Sequence, residues 1–299
     1  DHLHRPRARE HGVVFVGRAQ SVGIGKKFAD KWAVPHRFTQ LADAIGSGEI
    51  DCAHVLVPPP LHRPLAEPLL EAGIPVLVEK PMATSAEDCD ALREPAARRA
   101  TTLGVNQNYI YNPAFARLAR HVKDRKLGRV LGVQAIYSMP LRQLAARQFG
   151  HWMFAEPLNI LLEQAVHPLS QLCFLTGEPQ RIAASAGRPV EIAPGKSFFP
   201  EARIFFEGAG IPVQLHFAVG RSFPCQQITA SCDDGIATAD VLNGRFIVQA
   251  RTRWVDAVDS VVSGVAAGAM LMRDSFAGTL AYGLSMLRLK GRSDPFFVS

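Results

Sequence analysis

Two hydrophobic patterns divide the chain, and the first is clearest between residues 51 and 82. An apolar run at 53–57 is followed by a helical pattern at 64–72 and by a second apolar run at 75–78. Gly73 stands directly after the helical pattern, where a left-handed helix end favours glycine. Strand, helix and strand within about 30 residues predict one βαβ unit of a parallel sheet.

Further elements of the same kind flank this unit. Apolar runs at 13–16 and 103–106 predict two more buried strands. Thr84 and Ser85 each begin a capping-box pattern, which predicts a helix that continues to about residue 101. This alternation of short strands and helices predicts an α/β domain with a parallel sheet.

From about residue 129 the pattern changes to period-two alternation with turn residues such as 233–235 between the runs, which predicts hairpins. The predicted strands are 130–137, 181–186, 202–206, 213–218, 227–231, 236–239 and 245–250. A helical pattern with many small residues follows at 255–289. The change of pattern predicts two domains, residues 1–115 and residues 116–299.

Composition and charge narrow the possible functions. The chain is 47% hydrophobic and 20% charged, which is ordinary for a globular protein, and its apolar runs are too short for a membrane span. The net charge is +6, but basic and aromatic residues are not interleaved, so we expect solvated faces rather than a nucleic-acid surface. The 5 cysteines form no CxxC pair, which is typical of reduced thiols in a cytoplasmic protein.

Polar side chains follow both strands of the βαβ unit. His62 comes after the first strand, and Glu79 and Lys80 come after the second. Ligands of parallel sheets bind beyond the carboxyl ends of the strands, where a desolvated lysine can act as a general acid or base. Pro81 favours an extended backbone at Lys80. The residues leave a second interpretation open, a solvated ion pair between Glu79 and Lys80.

This segment resembles the Gfo/Idh/MocA family of NAD(P)-dependent oxidoreductases. Pro58, His62 and the tripeptide 79–81 match the family pattern of T-P-x-x-x-H, a helix and then E-K-P. The resemblance continues through 105–115 and 161–179 and covers most of the chain. It implies a Rossmann-like domain followed by an α/β domain with an open, mainly antiparallel sheet. In the family the exposed face of that sheet often forms dimers or tetramers, so we expect a homodimer or homotetramer.

The resemblance implies hydride transfer between NADP(H) or NAD(H) and a hydroxyl-bearing carbon of a sugar, cyclitol or similar polyol. Lys80 would pass the hydroxyl proton, His167 would orient or share it, and Glu163 stands where the family has a catalytic Asp. The residues expected at the cofactor are Arg18, Pro58, His62, Glu79, Lys80 and Asn108. Those expected at the substrate are Tyr109, Trp152 and His167. No metal site is expected.

The segment around His167 departs from the family pattern in several positions. Glu163 and Ser170 replace two Asp residues, and Val57 stands where Thr is usual. In a regular helix Glu163 and His167 would share a face at i and i+4, but Pro168 makes a regular helix locally doubtful. A lone His on such an apolar face is often structural, and that interpretation stays open.

The glycine-rich loop of a dinucleotide-binding fold is not completed anywhere in the sequence. G-x-G pairs occur at 23/25, 46/48 and 208/210, and none is followed by the third glycine of G-x-G-x-x-G. Compared with the family, the first strand and its glycine loop are expected to be missing, so that the Rossmann-like domain is truncated. We expect this chain alone to bind dinucleotides weakly and to fold poorly.

Arg18 follows the predicted strand at 13–16, where many NAD-preferring members of the family carry an Asp that bonds the ribose hydroxyls. A guanidinium suits a 2′-phosphate, so NADP is the expected cofactor and NAD is the alternative. The alternative functions are a non-catalytic sensor or regulatory binding protein on the same fold, or an inactive fragment. Hydride transfer to a polyol would distinguish the enzyme from both.

Overall fold

The structure, a computed structural model, describes residues 14–16, 27 and 29–287. The chain divides into two compact units, residues 1–106 and residues 107–299. The domain boundary that we place after residue 115 stays a prediction.

The first unit is built from short parallel strands. In chain order they are β1 (Val14–Val16), β2 (His36–Phe38), β3 (Ala53–Val55), β4 (Val76–Val78) and β5 (Leu103–Val105). β1 and β2 form a two-stranded sheet, and β3, β4 and β5 form a separate parallel sheet in that order. Its helices include α1 (Leu41–Gly46), α2 (His62–Glu71) and α3 (Ala86–Arg98). The parallel βαβ unit predicted from the hydrophobic pattern is therefore present.

The core of the first unit lies between this three-stranded sheet and its helices. Val78 of β4, Leu70 of α2 and Leu92 of α3 are fully buried. Ser85 caps α3 because its hydroxyl accepts the backbone N–H of Asp88 at 3.1 Å, as the capping-box pattern predicts.

The second unit is organised around one large sheet. Its strands are β6 (Val130–Met139), β7 (Pro179–Ala186), β8 (Val190–Ala193), β9 (Lys196–Phe198), β10 (Glu201–Gly208), β11 (Ile211–Val219), β12 (Cys225–Cys232), β13 (Gly235–Asp240) and β14 (Arg245–Ala250). The seven-stranded sheet has the order β14-β13-β12-β6-β11-β10-β7, and only the β6–β11 pair is parallel. This arrangement confirms the open, mainly antiparallel sheet. β8 and β9 form a separate hairpin that the sequence analysis missed.

The helices of this unit are α4 (Pro113–Lys123), α5 (Arg142–Ala145), α6 (Val166–Thr176) and α7 (Asp256–Met286). α4 and α6 pack on the sheet, and α7 packs on β14. Tyr137 of β6 and Phe217 of β11 stack inside the core with ring centroids 5.6 Å apart, together with Phe115 of α4. Along β6 buried and exposed side chains alternate, and Ile136 faces solvent beside the buried Tyr137. The opposite face of the sheet is open and carries exposed apolar residues such as Phe205.

Within the described ranges, we find no helix with the length and apolar character needed to cross a lipid bilayer.

Candidate active site

Three polar side chains on or directly after β3, β4 and β5 lie close together. They are His54 at the centre of β3, Glu79 directly after β4 and Asn106 directly after β5. The Asn106 side-chain N–H donates to Glu79 Oε1 at 2.7 Å, and His54 Nε2 lies 3.4 Å from the same oxygen. Since parallel strands deliver their ends to one edge of a sheet, Glu79 is held from both neighbouring strands.

Lys80 follows this carboxylate and is half-buried. The backbone just before it is fixed on both sides, because Glu79 N–H donates to the carbonyl of Val55 at 3.2 Å and Asn106 N–H donates to the carbonyl of Val78 at 2.8 Å. The peptide bond between Lys80 and Pro81 is cis. The attachment of the Lys80 side chain is therefore defined by hydrogen bonds from both flanking strands.

His62 connects two loops at the same edge of the sheet. Its ring is fully buried at the start of α2, with Nε2 2.8 Å from the carbonyl oxygen of Val57 and Nδ1 2.9 Å from that of Pro81. The ring thus links the loop after β3 to the loop after β4. Sequence reasoning placed His62 at the cofactor, which stays a prediction, and missed this structural role.

In the second unit, His167 lies in the first turn of α6 and is buried. Its ring stacks on that of Tyr109, with centroids 4.1 Å apart and planes 28° from parallel. Burial raises the pKa of the Tyr109 phenol, so the hydroxyl stays protonated at neutral pH. The structure therefore brings two of the predicted substrate residues into direct contact.

Glu163 lies in a π-helical turn, Leu161–Ala165, that leads directly into α6. Pro168 has no N–H to donate to the carbonyl four residues earlier, and such a gap favours an irregular turn. The segment from Glu163 to His167 is therefore not one regular α-helix, as Pro168 led us to expect. Glu163 is half-buried, and its catalytic role stays a prediction.

Sequence reasoning missed a buried polar pair that adjoins Glu163. The Tyr137 hydroxyl donates to Gln164 Oε1 at 2.8 Å. Burial raises the pKa of Tyr137 well above its usual value, and the nearby Tyr109 and Glu163 raise it further. Tyr137 therefore acts as a neutral hydrogen-bond donor under the π turn.

Sequence reasoning also missed a hydrogen-bond network that fixes the backbone of Tyr109. The side chain of Gln226 on β12 donates to Gln171 Oε1 at 2.8 Å, and the Gln171 side chain donates to the carbonyl of Tyr109 at 2.9 Å. Both glutamines are fully buried. Because Gln171 stands four residues after His167 in α6, their shared helix face was the one signal in the sequence that could have revealed it.

The remaining predicted site residues lie in turns. Trp152 is half-buried in the 3₁₀ turn Trp152–Phe154, and its carbonyl accepts the side-chain N–H of Asn159 at 3.1 Å. Asn108 begins the 3₁₀ turn that carries Tyr109. Pro58 precedes the turn Pro59–Leu61.

Arg18 lies outside the described residues, so its role stays a prediction.

Glu79 and Asn106 give the first unit's edge carboxylate oxygens and an amide, the kinds of group that accept from and donate to hydroxyls. Among the residues that the structure describes, no cluster of three or more His, Cys, Asp or Glu is arranged to hold a metal ion.

Comparison with known proteins assigns both parts of the chain to one family. Residues 4–107 match the model of an oxidoreductase family with an NAD-binding Rossmann fold, and residues 115–236 match the Gfo/Idh/MocA C-terminal domain. An inositol 2-dehydrogenase of Arthrobacter sp. is 23% identical over 262 residues, which is 85% of this chain and 74% of that protein. A dTDP-3,4-didehydro-2,6-dideoxy-alpha-D-glucose 3-reductase of Streptomyces violaceoruber is 25% identical over 175 residues, 58% of this chain. The match spans only 50% of the reductase's own length.

Solved structures share the fold. An oxidoreductase from Agrobacterium radiobacter, crystallised with NAD+, L-tartaric acid and magnesium, has a TM-score of 0.69 at 13% identity and covers 95% of this chain and 84% of its own. A UDP-N-acetylglucosamine 3-dehydrogenase from Acidithiobacillus ferrooxidans has a TM-score of 0.62 at 21% identity, covering 79% and 74%. With both domain models matched in order along the sequence, the chain belongs to the Gfo/Idh/MocA oxidoreductase family.

Proposed function

We propose that this protein is a dehydrogenase or reductase that moves hydride between a nicotinamide dinucleotide and a hydroxyl-bearing carbon of a sugar or cyclitol. The observation that carries the proposal is the fixed position of Lys80 at the carboxyl edge of β4, in a chain that matches both domains of the family. Relatives named as inositol and D-apiose dehydrogenases support a polyol substrate.

Lys80 takes the hydroxyl proton when the alcohol is oxidised and returns it when the carbonyl is reduced. When bound, the dinucleotide supplies the hydride acceptor or donor. Glu79, held by Asn106 and His54, bonds the ribose hydroxyls and so orients the cofactor. Two backbone hydrogen bonds just before Lys80, from Glu79 N–H to Val55 and from Asn106 N–H to Val78, fix the backbone from which its side chain projects.

In the second unit we assign His167 to binding of the substrate. The His167 ring stacks on the ring of Tyr109. The backbone of Tyr109 is fixed in turn, because its carbonyl accepts a hydrogen bond from the side chain of Gln171. A preorganised imidazole of this kind loses little freedom when it binds a substrate hydroxyl. Tyr109 and Trp152 contribute to the substrate surface, and Glu163 assists His167.

The proposal is tested by hydride transfer. The purified chain is incubated with NAD+ or NADP+ and a panel of inositols, hexoses and pentoses, and reduced cofactor is followed by its absorbance. Lys80→Ala should lower turnover by about 10²- to 10⁴-fold, the usual contribution of a general acid or base, while cofactor affinity changes little. The matched control is Lys123→Ala, which removes an exposed lysine at the end of α4.

Cofactor binding without hydride transfer to any member of the panel would contradict an enzyme. That result would instead support a sensor on the same fold, an outcome consistent with Glu163 and Ser170 standing where the family has Asp.

We further propose that the protein prefers NADP to NAD as its cofactor. Arg18 follows β1 in the sequence, and a guanidinium binds the 2′-phosphate that distinguishes NADP from NAD. Arg18→Asp should move the affinity ratio towards NAD by at least about tenfold, since it replaces an attraction with a repulsion. Fluorescence titration with both reduced cofactors measures the ratio. Equal affinities that the substitution leaves unchanged would contradict this assignment.

A further inference from the structure

A closed circuit of hydrogen bonds runs through the core of the second unit. The side chain of Gln226 on β12 donates to Gln171 Oε1 at 2.8 Å, and the Gln171 side chain donates to the carbonyl of Tyr109 at 2.9 Å. The same carbonyl accepts the backbone N–H of Asn112 at 3.2 Å, and the Asn112 side chain donates to the carbonyl of Val241 at 3.1 Å. The Val241 N–H donates to the backbone carbonyl of Gln226 at 2.9 Å and closes the circuit, which we call the amide network.

Stability alone does not account for the amide network. Gln171 and Gln226 are fully buried, and Asn112 is 2% exposed. Buried amides are unfavourable in a core unless they are hydrogen-bonded, whereas apolar side chains of similar size carry no such cost. Gln226 Oε1 is buried and has no hydrogen-bond partner among the residues that the structure describes. Departures of this kind from the rules of core packing are expected at functional sites.

The amide network meets the candidate site at Tyr109. The Tyr109 ring stacks on the ring of His167 with centroids 4.1 Å apart, and Gln171 stands one helical turn after His167 in α6. Gln171 therefore ties the backbone of Tyr109 to the same helix that carries His167. The two stacked rings thus share one support, and without this tie the contact between the rings would have to hold them in place by itself.

Asn112 fixes the far end of the 3₁₀ turn Asn108–Tyr111, which carries the stacked tyrosine. Its Oδ1 accepts the backbone N–H groups of Ala114 and Phe115 and so caps α4. Its side-chain N–H reaches the carbonyl of Val241, directly after β13. The turn is therefore tied to α6 near one end and to the sheet at the other.

We propose that Gln171, Gln226 and Asn112 are positioning residues for the reaction, and that they set the orientation of His167 through Tyr109. The inference rests on the proposed function, in which His167 binds the substrate. The three amides act at a distance, because the Tyr109 ring transmits their position to the imidazole by direct contact. A displacement of about 1 Å at a binding group can change turnover about 100-fold, so a small shift of the turn suffices.

Histidine-selective isotope labelling and NMR of the whole chain measure the stacked arrangement without turnover. The Tyr109 ring current should shift the Cε1–H signal of His167 upfield, and His167→Gln assigns that signal. Gln171→Met is similar in size and removes both hydrogen bonds of the amide, so the signal should move downfield towards that of a solvated histidine. Thr176→Val is the matched control, because it removes a buried hydrogen bond to Leu172 in the same helix but outside the amide network.

Steady-state kinetics measure the consequence for the reaction. Gln171→Met should lower kcat for the polyol by about 10- to 100-fold, while the Michaelis constant for the dinucleotide changes little. Asn112→Asp keeps the oxygen that caps α4 and removes the donor to Val241, so it should cause a smaller loss of the same kind. Thr176→Val should keep kcat at the wild-type value even where it lowers the unfolding midpoint.

A double-mutant cycle tests whether the amides act as one chain of contacts. Gln226→Met should lower kcat less than Gln171→Met, because Gln226 acts through Gln171. The variant with both substitutions should be no slower than Gln171→Met alone, since effects of residues that act through one another are not additive.

Three results would overturn the inference. They are a His167 signal that Gln171→Met leaves unshifted, a loss of kcat in Thr176→Val equal to that in Gln171→Met, and losses in Gln171→Met and Gln226→Met that multiply in the double variant. A wild-type protein that transfers no hydride to any polyol would contradict the proposed function instead, and the NMR comparison would still decide whether the amide network orients His167.

Discussion

The two units hold their candidate site residues by different means. In the first unit each described strand has three residues, and the strands are divided between a sheet of two and a sheet of three. In the second unit a seven-stranded sheet includes strands of up to 10 residues and supports an aromatic core. Lys80 is accordingly positioned by backbone hydrogen bonds at a sheet edge, whereas His167 is positioned by stacking and buried amides.

This difference teaches that the two units stabilise their candidate site residues with unequal amounts of packing free energy. The large core of the second unit offsets the unfavourable free energy of burying two glutamines and of forming a π turn beside His167. The small core of the first unit leaves its polar edge dependent on a few contacts among His54, Glu79 and Asn106.

The largest effect is expected from truncating the aromatic core of the second unit. Phe217 is fully buried and stacked on Tyr137, so Phe217→Ala should lower the free energy of unfolding by about 3–5 kcal/mol. Val78→Ala, in the core of the first unit, removes fewer atoms and should cost about 1–2 kcal/mol. Urea unfolding followed by circular dichroism measures both, and equal losses would contradict the comparison.

The ion pair under α7 should make the second unit sensitive to acid. Burial opposes ionisation of Asp274, but the N–H of Phe246 and the guanidinium of Arg117 outweigh it and hold the pKa of Asp274 below its usual 3.8. Because the folded-state pKa is lowered, this stabilisation is fully present above the unfolded pKa and is lost as pH falls through the folded value. Asp274→Asn should cost about 1.5–3 kcal/mol at pH 7, the range for hydrogen bonds to a charged group.

The check is the pH dependence of unfolding between pH 6 and pH 3. Asp274→Asn should flatten the loss of stability at the acid end, whereas Asp124→Asn, which removes an exposed carboxylate after α4, should not. A variant that follows the wild-type curve throughout would show that Asp274 does not titrate with folding.

The smallest effect is expected at the polar edge of the first unit. Asn106→Ala removes the amide that donates to Glu79 and should raise the Michaelis constant for the dinucleotide by about 3- to 10-fold, since Glu79 is half-buried. Turnover at saturation and the unfolding midpoint should change little. Thr101→Ala, on the loop before β5, is the matched control. A loss confined to stability would mean that Asn106 is structural.

Much of the fold follows from local pattern. Period-two alternation at 130–137 predicts β6, apolar runs at 53–57 and 75–78 predict β3 and β4, and Ser85 predicts the start of α3. These features are local because the backbone period and a cap depend on residues only a few positions apart. The placement of Lys80 after a parallel strand follows in the same way.

The order of strands could not be predicted in this way. β6 lies between β12 and β11, pairs antiparallel with one and parallel with the other, and so joins segments far apart in the chain. The β8–β9 hairpin was missed because both strands are short. Buried and exposed side chains do not alternate along them, so no period-two pattern marks them in the sequence.

For the candidate site, the sequence by itself determined that Glu79 and Lys80 stand at the end of a strand. It also determined that His167 stands in an apolar segment. Only the tertiary structure decided what holds them. Gln226 reaches Gln171 across 55 positions, and Gln171 reaches Tyr109 across 62. The physical reason is that a buried amide is stable only with a partner, and which partner it meets is set by sheet register and helix packing rather than by its neighbours in the chain.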